Sequence, residues 1–506
     1  MIRIIYFIPL LLLCWGCNDF LNEEPEISVT NNNYWKTEQD VESAVYGMHL
    51  QFRYAMGNGN PQDRDRGVIF DMLPAPWLRL VNNDLRSFYQ ISDSRLFWRD
   101  YYNVICLANS ILDNISRASL PEERYRFYLG QTLVVRAWLY FYIICNWGDA
   151  PWIDHNEDVG EKGRIPWQEI AAYIIRDLKQ AIDLLPRADA LQDSQGKFIE
   201  SKQIPSKGAA HAILAQVYAW KAGLNREPEL NRSALAECDS VVSDPSYDLV
   251  GSIREVCEAV MLGNSREGIF ELDFGKDSDG DLSLKGGYSD LCQRWPVLPL
   301  TTPATYSRSQ LAISSAAVYR LYPDKTDQRR EEYFYKLDSM AGVSTAITRG
   351  RAYIRKIRHV VIYVGGPLDG RLKGYEGNQI IIRLADILLL RAELRAKTGD
   401  TGGAIADLNR VRRRAGAAEY PAGENDLKEA IAVERDRELF CEGITIRFFD
   451  ILRNGTFREK LRGGFKTLSD QDVADGALFL PVGKSAFFNN TLMRQNIYWK
   501  KQGFQN

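Results

Sequence analysis

Apolar residues recur along most of this chain at three- and four-residue spacing, the period of a helix with one buried face. Val41, Ala44, Val45, Met48 and Phe52 open the series, behind Thr37-Glu38-Gln39-Asp40, which has the form of a capping box. A second helical run covers 96–112. A third, very apolar, covers 125–145 and breaks at Trp147-Gly148-Asp149-Ala150-Pro151. Ile170, Ile174, Leu178, Ala181 and Leu185 then line one face of a helix stopped by Pro186. An Ala-rich helix over 207–223 is followed by another over 232–242, ahead of Pro245. Near the C-terminus the pattern predicts a helix over 380–397 and a turn at Gly399-Asp400-Thr401-Gly402. A return helix over 404–414 follows, with Ile405, Leu408 and Val411 inward.

Helix–turn–helix units of about 34 residues with small residues at the crossings are the signature of tetratricopeptide repeats. Ala209, Ala210, Ala212 and Ala215 let one pair of helices approach, and Ala392 and Ala404 do so in the last unit. Such pairs cannot bury their faces alone and must stack. Two insertions, 55–95 and 249–372, interrupt them and are rich in Gly, Pro, Asp and aromatic residues. Short strands fit both, with GIFELDF (268–274) and VVIYVG (360–365) as the clearest runs. The expected fold is therefore mainly α: degenerate repeat pairs forming a platform, with loop-rich insertions carrying short strands.

The N-terminal pattern differs. Arg3 precedes an apolar run over 4–13, too short for a bilayer core, which needs about 20 residues, and proportioned like a signal-peptide core. Gly16 then precedes Cys17, with Asn18-Asp19 after it, which resembles the lipobox of bacterial lipoproteins. Residues 1–16 thus read as a signal peptide, 17–506 as a single domain, and Cys17 as the lipid anchor to a bilayer. Several acyl chains on one residue make such attachment effectively permanent. The pair Cys14 and Cys17 also has redox-motif spacing, but no folded domain begins around it. Residues 18–29 are polar and acidic, the composition of a tether.

Composition adds bounds. Hydrophobic residues make up 45% and charged ones 25%, ordinary for a protein with a sizeable core. A net charge of −3 gives no reason to expect nucleic acid as a partner. Cys106, Cys145, Cys238, Cys257, Cys292 and Cys441 are scattered, and read as buried small hydrophobes or as one or two disulfides.

Several segments together resemble the SusD/RagB family, the cell-surface nutrient-binding lipoproteins of Bacteroidetes-type bacteria. They are CNDFLNEEPE (17–26), YWKTEQDVESAVYGM (34–48), FWRDYYNVICLANSIL (97–112), VVRAWLYFYIICNWGDAPWI (134–153) and IPSKGAAHAILAQVYAWKAGL (204–224). Later come IIIRLADILLLRAELRAKTGDTGGAIADLNRVRRRAG (380–416), AIAVERDRELFCEGITIRFFDILRNG (430–455) and LFLPVGKSAFFNNTLMRQNIYW (478–499). The chain departs from the family pattern at 444–447 and at Pro481-Val482, both in scaffold segments. The resemblance implies an outer-membrane, surface-exposed lipoprotein that partners a TonB-dependent (SusC-like) transporter. It further implies an oligosaccharide or peptide ligand, held by the insertions and not by the repeat helices, and no catalysis.

The family does not say which residues bind, so candidates are chosen by chemistry. Sugars present apolar C–H faces and polar rims, which suit flat aromatics beside planar hydrogen-bonding groups. Trp77, Asn83, Asp84, Arg86 and Tyr89 combine these types in the first insertion. Tyr288, Arg294, Trp295 and Tyr306 do so in the second, near Pro296 and Pro299. Trp98, Trp138 and Trp147 lie on or beside apolar helix faces and read as core.

Sharper chemistries fit poorly. Asp277-Ser278-Asp279-Gly280-Asp281 begins like a calcium loop, but its glycine falls one place early and Tyr288 stands where the bidentate Glu belongs. The histidines, His49, His155, His211 and His359, are far apart and give no zinc motif. No cofactor-binding motif is read. Glu434, Asp436 and Glu438 invite a glycosidase reading, yet they alternate with Arg435 and Arg437 in the manner of a salt-bridged helix face. Arg410, Arg412, Arg413 and Arg414 read as helix C-terminal charge favoured by the dipole. Three functions remain open: glycan capture, capture of peptide or another nutrient on the same scaffold, and a surface-anchored glycoside hydrolase.

Overall fold

The computed structural model describes residues 34–57, 68, 70–72, 75–158, 160–274, 296–298, 313–343, 350–421, 423, 426–442 and 446–504, apart from the side chains of 75 and 76. The leader, Cys17, the tether, Cys292 and the Asp277–Asp281 turn lie outside these residues, as do Tyr288, Arg294, Trp295 and Tyr306.

In chain order the structure begins with α1 (Glu38–Gly57), α2 (Ala75–Val81), α3 (Arg86–Gln90), α4 (Arg99–Asn114) and α5 (Glu122–Trp147). Next come α6 (Trp167–Leu184), α7 (Lys207–Leu224), α8 (Leu230–Val242) and strand β1 (Gly268–Leu272). After β2 (Ile313–Ser314) and α9 (Ser315–Leu321) come β3 (Arg351–Ala352), β4 (Val360–Ile362), β5 (Leu372–Tyr375) and β6 (Gln379–Arg383). The closing helices are α10 (Leu384–Thr398), α11 (Thr401–Arg414), α12 (Leu427–Glu438) and α13 (Ile446–Arg453).

The fold is mainly α. Helices pair as α5 with α6, α7 with α8 and α10 with α11, and each pair stacks on the next through α6–α7 and α8–α10. Helix α1 packs on α4 and α5. The ends are set by local chemistry. Thr37 and Asp40 form the reciprocal capping bonds at the start of α1, and Ser206 Oγ caps α7. Gly399, in the left-handed region, ends α10, and Asp400 caps α11. Helix α5 is apolar all round and is long enough to cross a membrane, but it lies buried at the centre of the stack. Its one buried cation, Arg136, bonds Asp177 of α6 and Asn109 of α4. Gly223, near the end of α7, faces the carbonyl of Arg453 so closely that a Cβ would sit 2.1 Å from it. That glycine lets α13 lie against α7.

Among the described residues, three two-stranded antiparallel sheets punctuate the helices: β1 with β6, β2 with β3, and β4 with β5. The runs at 268–274 and 360–365 therefore form strands as expected. The expected helix over 380–397 does not begin at 380. The β-branched triplet Ile380-Ile381-Ile382 extends and pairs with β1, and the helix starts only at Leu384. The first insertion also departs from expectation. Helix α1 continues to Gly57, and α2 and α3 occupy the region read as strand-bearing.

The larger correction concerns charge. Arg412, Arg414, Glu434 and Glu438, read from sequence as helix-end and helix-surface charges, are buried. Arg383 at the end of β6 bonds Glu442 at 2.7 Å and Glu438 at 2.8 Å, and reaches Glu267 beside β1. Arg414 meets Glu267 at 3.1 Å and Glu438. Arg329, from the second insertion, contacts Asp327 at 2.8 Å, Glu434 at 2.7 Å and Glu438 at 3.2 Å. Arg412 takes the other side of Glu434 at 3.0 Å, and Lys356 pairs with Glu442. Five buried cations thus face five buried carboxylates, and the less buried Arg437 adds a contact to Glu434 at 3.4 Å. A second set adjoins it through α12: Arg435 bridges Asp386 and Asp450, while Arg453 bridges Asp450 and Glu393. Arg447 joins Asp450 to Asp436.

Cys145, Cys238 and Cys257 are buried thiols, and burial raises the pKa of each. The buried residues form a large core through the repeats. A smaller one lies under the second insertion and is built on Phe70, Ile253, Val260, Tyr322, Phe334 and Phe440.

Burial alone would raise the Glu438 pKa, but Arg414, Arg383 and Arg329 outweigh it and hold the carboxyl below its ordinary value. A depressed folded-state pKa stabilises the protein above the unfolded value of 4.5, and that stability is lost as pH falls below it. At neutral pH, Glu438→Gln is therefore expected to lower the unfolding free energy by about 3–5 kcal/mol, because it leaves buried guanidinium charge uncompensated. Breaking the exposed pair Arg413–Glu419 with Glu419→Gln is expected to leave stability nearly unchanged. Urea melts of both variants at neutral and acid pH check this: the Glu438→Gln deficit must shrink below pH 4.5.

Candidate functional site

Loops on a rigid scaffold are where binding groups usually sit, and the structure brings the two insertions together. Asp71 accepts the Ser314 backbone N–H at 2.7 Å and the Ser314 hydroxyl at 2.5 Å. Ser314 closes β2 and caps α9 through the N–H of Ala317. Phe70 next to Asp71 belongs to the smaller core, and its carbonyl accepts a bond from Arg462. The first insertion is thus tied to the second at Ser314.

Trp77, on α2, is half-buried and packs against both cores. The Arg95 guanidinium lies 4.8 Å from its ring centroid and 5.3 Å from that of Phe88 on α3. Asp93 fixes Arg95 with a 2.7 Å ion pair and caps its short 3₁₀ turn. The result is a guanidinium lying against both an indole and a phenyl ring, with Phe88 buried and Trp77 and Arg95 half-buried. Sequence reasoning missed Arg95. The signal available was Asp93-Ser94-Arg95, a carboxylate two residues ahead of an arginine, which the search for aromatics passed over.

The other first-insertion candidates sit differently. Asn83 is buried with φ +61°, and its side-chain amide donates to the carbonyl of Ala477 at 3.1 Å. Arg86 donates to the carbonyl of Gln502 at 2.7 Å. Tyr89 is buried against Phe504, centroids 4.6 Å apart, with Lys484 5.1 Å from its ring; burial raises its phenol pKa. These three side chains fasten the first insertion to the C-terminal segment. Gly464 adds to this by donating to the carbonyl of Asn82. Asp84 and Arg86 are the exposed members of the five, and of these two only Arg86 is tied to the C-terminal segment. Trp98, Trp138 and Trp147 are buried in the large core.

Two of the three carboxylates that invited a hydrolase reading are buried, and the third, half-buried Asp436, is paired with Arg447 at 2.7 Å. Glu434 and Glu438 are 0% exposed, and each contacts at least two arginines. A general acid needs a raised pKa and access to its substrate; Glu438 has neither. Among the described residues no group of His, Cys, Asp and Glu side chains is placed to hold a metal ion.

Two family models match the chain. One, described as the SusD family, covers residues 313–499, and the other, described as starch-binding associating with outer membrane, covers residues 19–219. A SusD-like protein of Formosa agariphila is 25% identical, over 90% of both chains. A SusD homolog from Bacteroides thetaiotaomicron superposes with a TM-score of 0.76 at 23% identity, covering 92% of this chain and 100% of that one. Surface glycan-binding protein A from the same organism gives a TM-score of 0.67 at 18% identity, over 92% and 100%.

The division between fastening and exposed residues is testable. Asn83→Ala is expected to cost about 1–3 kcal/mol of stability, through the lost bond to Ala477 and the left-handed backbone. Asp84→Ala should stay within about 0.5 kcal/mol. Equal losses in urea unfolding would contradict the assignment.

Proposed function

The chain belongs to the SusD/RagB family, and from that premise we propose that it is a non-catalytic glycan-binding lipoprotein of the outer membrane. Residues 17–506 act as one unit, held on the cell surface through acylated Cys17. The unit captures an oligosaccharide on the face built by its two insertions and passes it to a TonB-dependent outer-membrane transporter. The observation that carries the reading is the junction of the insertions: Asp71 on Ser314, with the Trp77–Arg95 contact in the same first insertion. A family model described as starch-binding and outer-membrane-associated supports the ligand class and the location. So does the likeness to a surface glycan-binding protein.

In this reading Trp77 and Arg95 supply a platform and donors, and Asp84 a rim acceptor. Tyr288, Arg294, Trp295 and Tyr306 complete the face from the second insertion. Asn83, Arg86 and Tyr89 contribute by holding α2 and α3 in place.

Affinity electrophoresis of the mature chain in gels containing neutral and acidic polysaccharides tests the ligand class. Retardation by at least one glycan is expected, weakened about tenfold or more, roughly 1.4 kcal/mol, in Trp77→Ala. A blank panel together with peptide-dependent binding would sink the glycan reading. For the anchor, Cys17→Ala is expected to move the protein from the membrane fraction to the soluble one; unchanged membrane recovery speaks against Cys17.

A further inference from the structure

A cavity of about 630 Å³ opens between the loop after α5, the end of α7 and the C-terminal segment to which the first insertion is fastened. Trp167 and Phe479 give it aromatic walls, and Arg164, Arg226 and Arg494 line it. None of the three arginines meets a carboxylate among the described residues. Arg164 donates to the carbonyls of Asp149, Trp147 and Arg494 and to the side-chain oxygen of Asn496. Arg494 donates to the carbonyls of Thr491 and Met493. Arg226, exposed and held at φ +56°, makes no side-chain bond among the described residues.

Two of the three acids of the same cavity are already paired with cations. Asp149 accepts the N–H of Trp167 at 3.0 Å. Asp470 pairs with Arg458 at 2.7 Å, and Asp475 pairs with Lys501 while accepting from Gln471. Asp149 faces Arg164, which leaves Arg226 and Arg494 as cations of the cavity with no carboxylate partner among the described residues. Burial lowers the Arg164 pKa despite the pull of Asp149, as it does when a cation's lost hydration is not fully replaced.

Guanidinium groups bind carboxylate and sulfate through paired N–H donors, and do so more strongly in a partly enclosed site than in bulk water. Aromatic walls suit the C–H face of a sugar ring. We infer that this cavity is a second binding site, separate from the insertion face, for the carboxylate or sulfate group of an acidic saccharide. That the anion belongs to a saccharide rests on the function proposed above; the need for an anion rests on the cavity alone.

Calorimetric titration of the mature chain with a uronate disaccharide, its neutral hexose counterpart and inorganic phosphate tests this. The uronate is expected to bind and the neutral sugar not, with affinity falling as salt rises from about 20 to about 500 mM. Arg164 also ties backbone together, so its substitution confounds folding. The surface pair Arg226→Ala with Arg494→Ala carries the test and should weaken uronate binding about tenfold. No saturable uronate binding, or an unchanged affinity in the double variant, overturns the site. Binding of phosphate without uronate overturns the saccharide assignment. The two readings separate because polysaccharide retardation lost in Trp77→Ala and kept in the double variant leaves the insertion face intact whichever way the cavity behaves.

Discussion

One buried set of charges ties the second insertion to the last pair of repeat helices. Moving an ion from water into the interior costs several kcal/mol even after relaxation. The set around Arg383, Arg414, Arg329, Glu438, Glu434 and Glu442 is therefore viable only when complete. It is complete across elements distant in sequence. Arg329 and Lys356 come from the second insertion, Arg383 from β6, Glu267 from the approach to β1, and the rest from α11, α12 and the turn after α12. No member can shift without stranding another. The network so fixes the insertion relative to the last helix pair in a way that apolar contact, which tolerates sliding, does not.

That fixation matters for the binding face. The smaller core lies under the second insertion, the larger one runs through the repeats, and Trp77 packs against both. Asp71 reaches across to Ser314, while Asn83, Arg86 and Tyr89 secure the other side of the first insertion to the C-terminal segment. The Trp77–Arg95–Phe88 stack is thus held by elements that do not themselves need to move. A preorganised platform of this kind loses little entropy when a flexible oligosaccharide settles on it.

Helical periodicity made the repeat pairs legible, because their apolar faces are long and regular and their ends carry ordinary caps such as Ser206 and Asp400. Two kinds of position escaped it. Ile380-Ile381-Ile382 continues an apolar run into α10, and only pairing with a strand about 110 residues away makes it extended. The Arg–Glu alternation of α12 reads as a solvated face because periodicity places charge outside; the partners that bury it, Arg329, Arg383 and Arg414, come from elsewhere in the chain. The same limit applies to the site. Residue chemistry found Trp77 but could not tell that Asn83 and Tyr89 face the C-terminal segment, nor that Arg95 covers the indole. The matching family models and the superposition on SusD homologs agree with the repeats.

The central claim is that ligand is taken by a face built from both insertions on an immobile helical platform. Hydrogen–deuterium exchange of the mature chain, with and without a bound oligosaccharide, tests it most directly. The account predicts ligand-dependent protection around residues 70–96 and 313–321, with the amides of α5, α7 and α12 slow and unchanged in both states. Protection centred on the repeat helices, or exchange in α12 that speeds up or slows down with ligand, would contradict it.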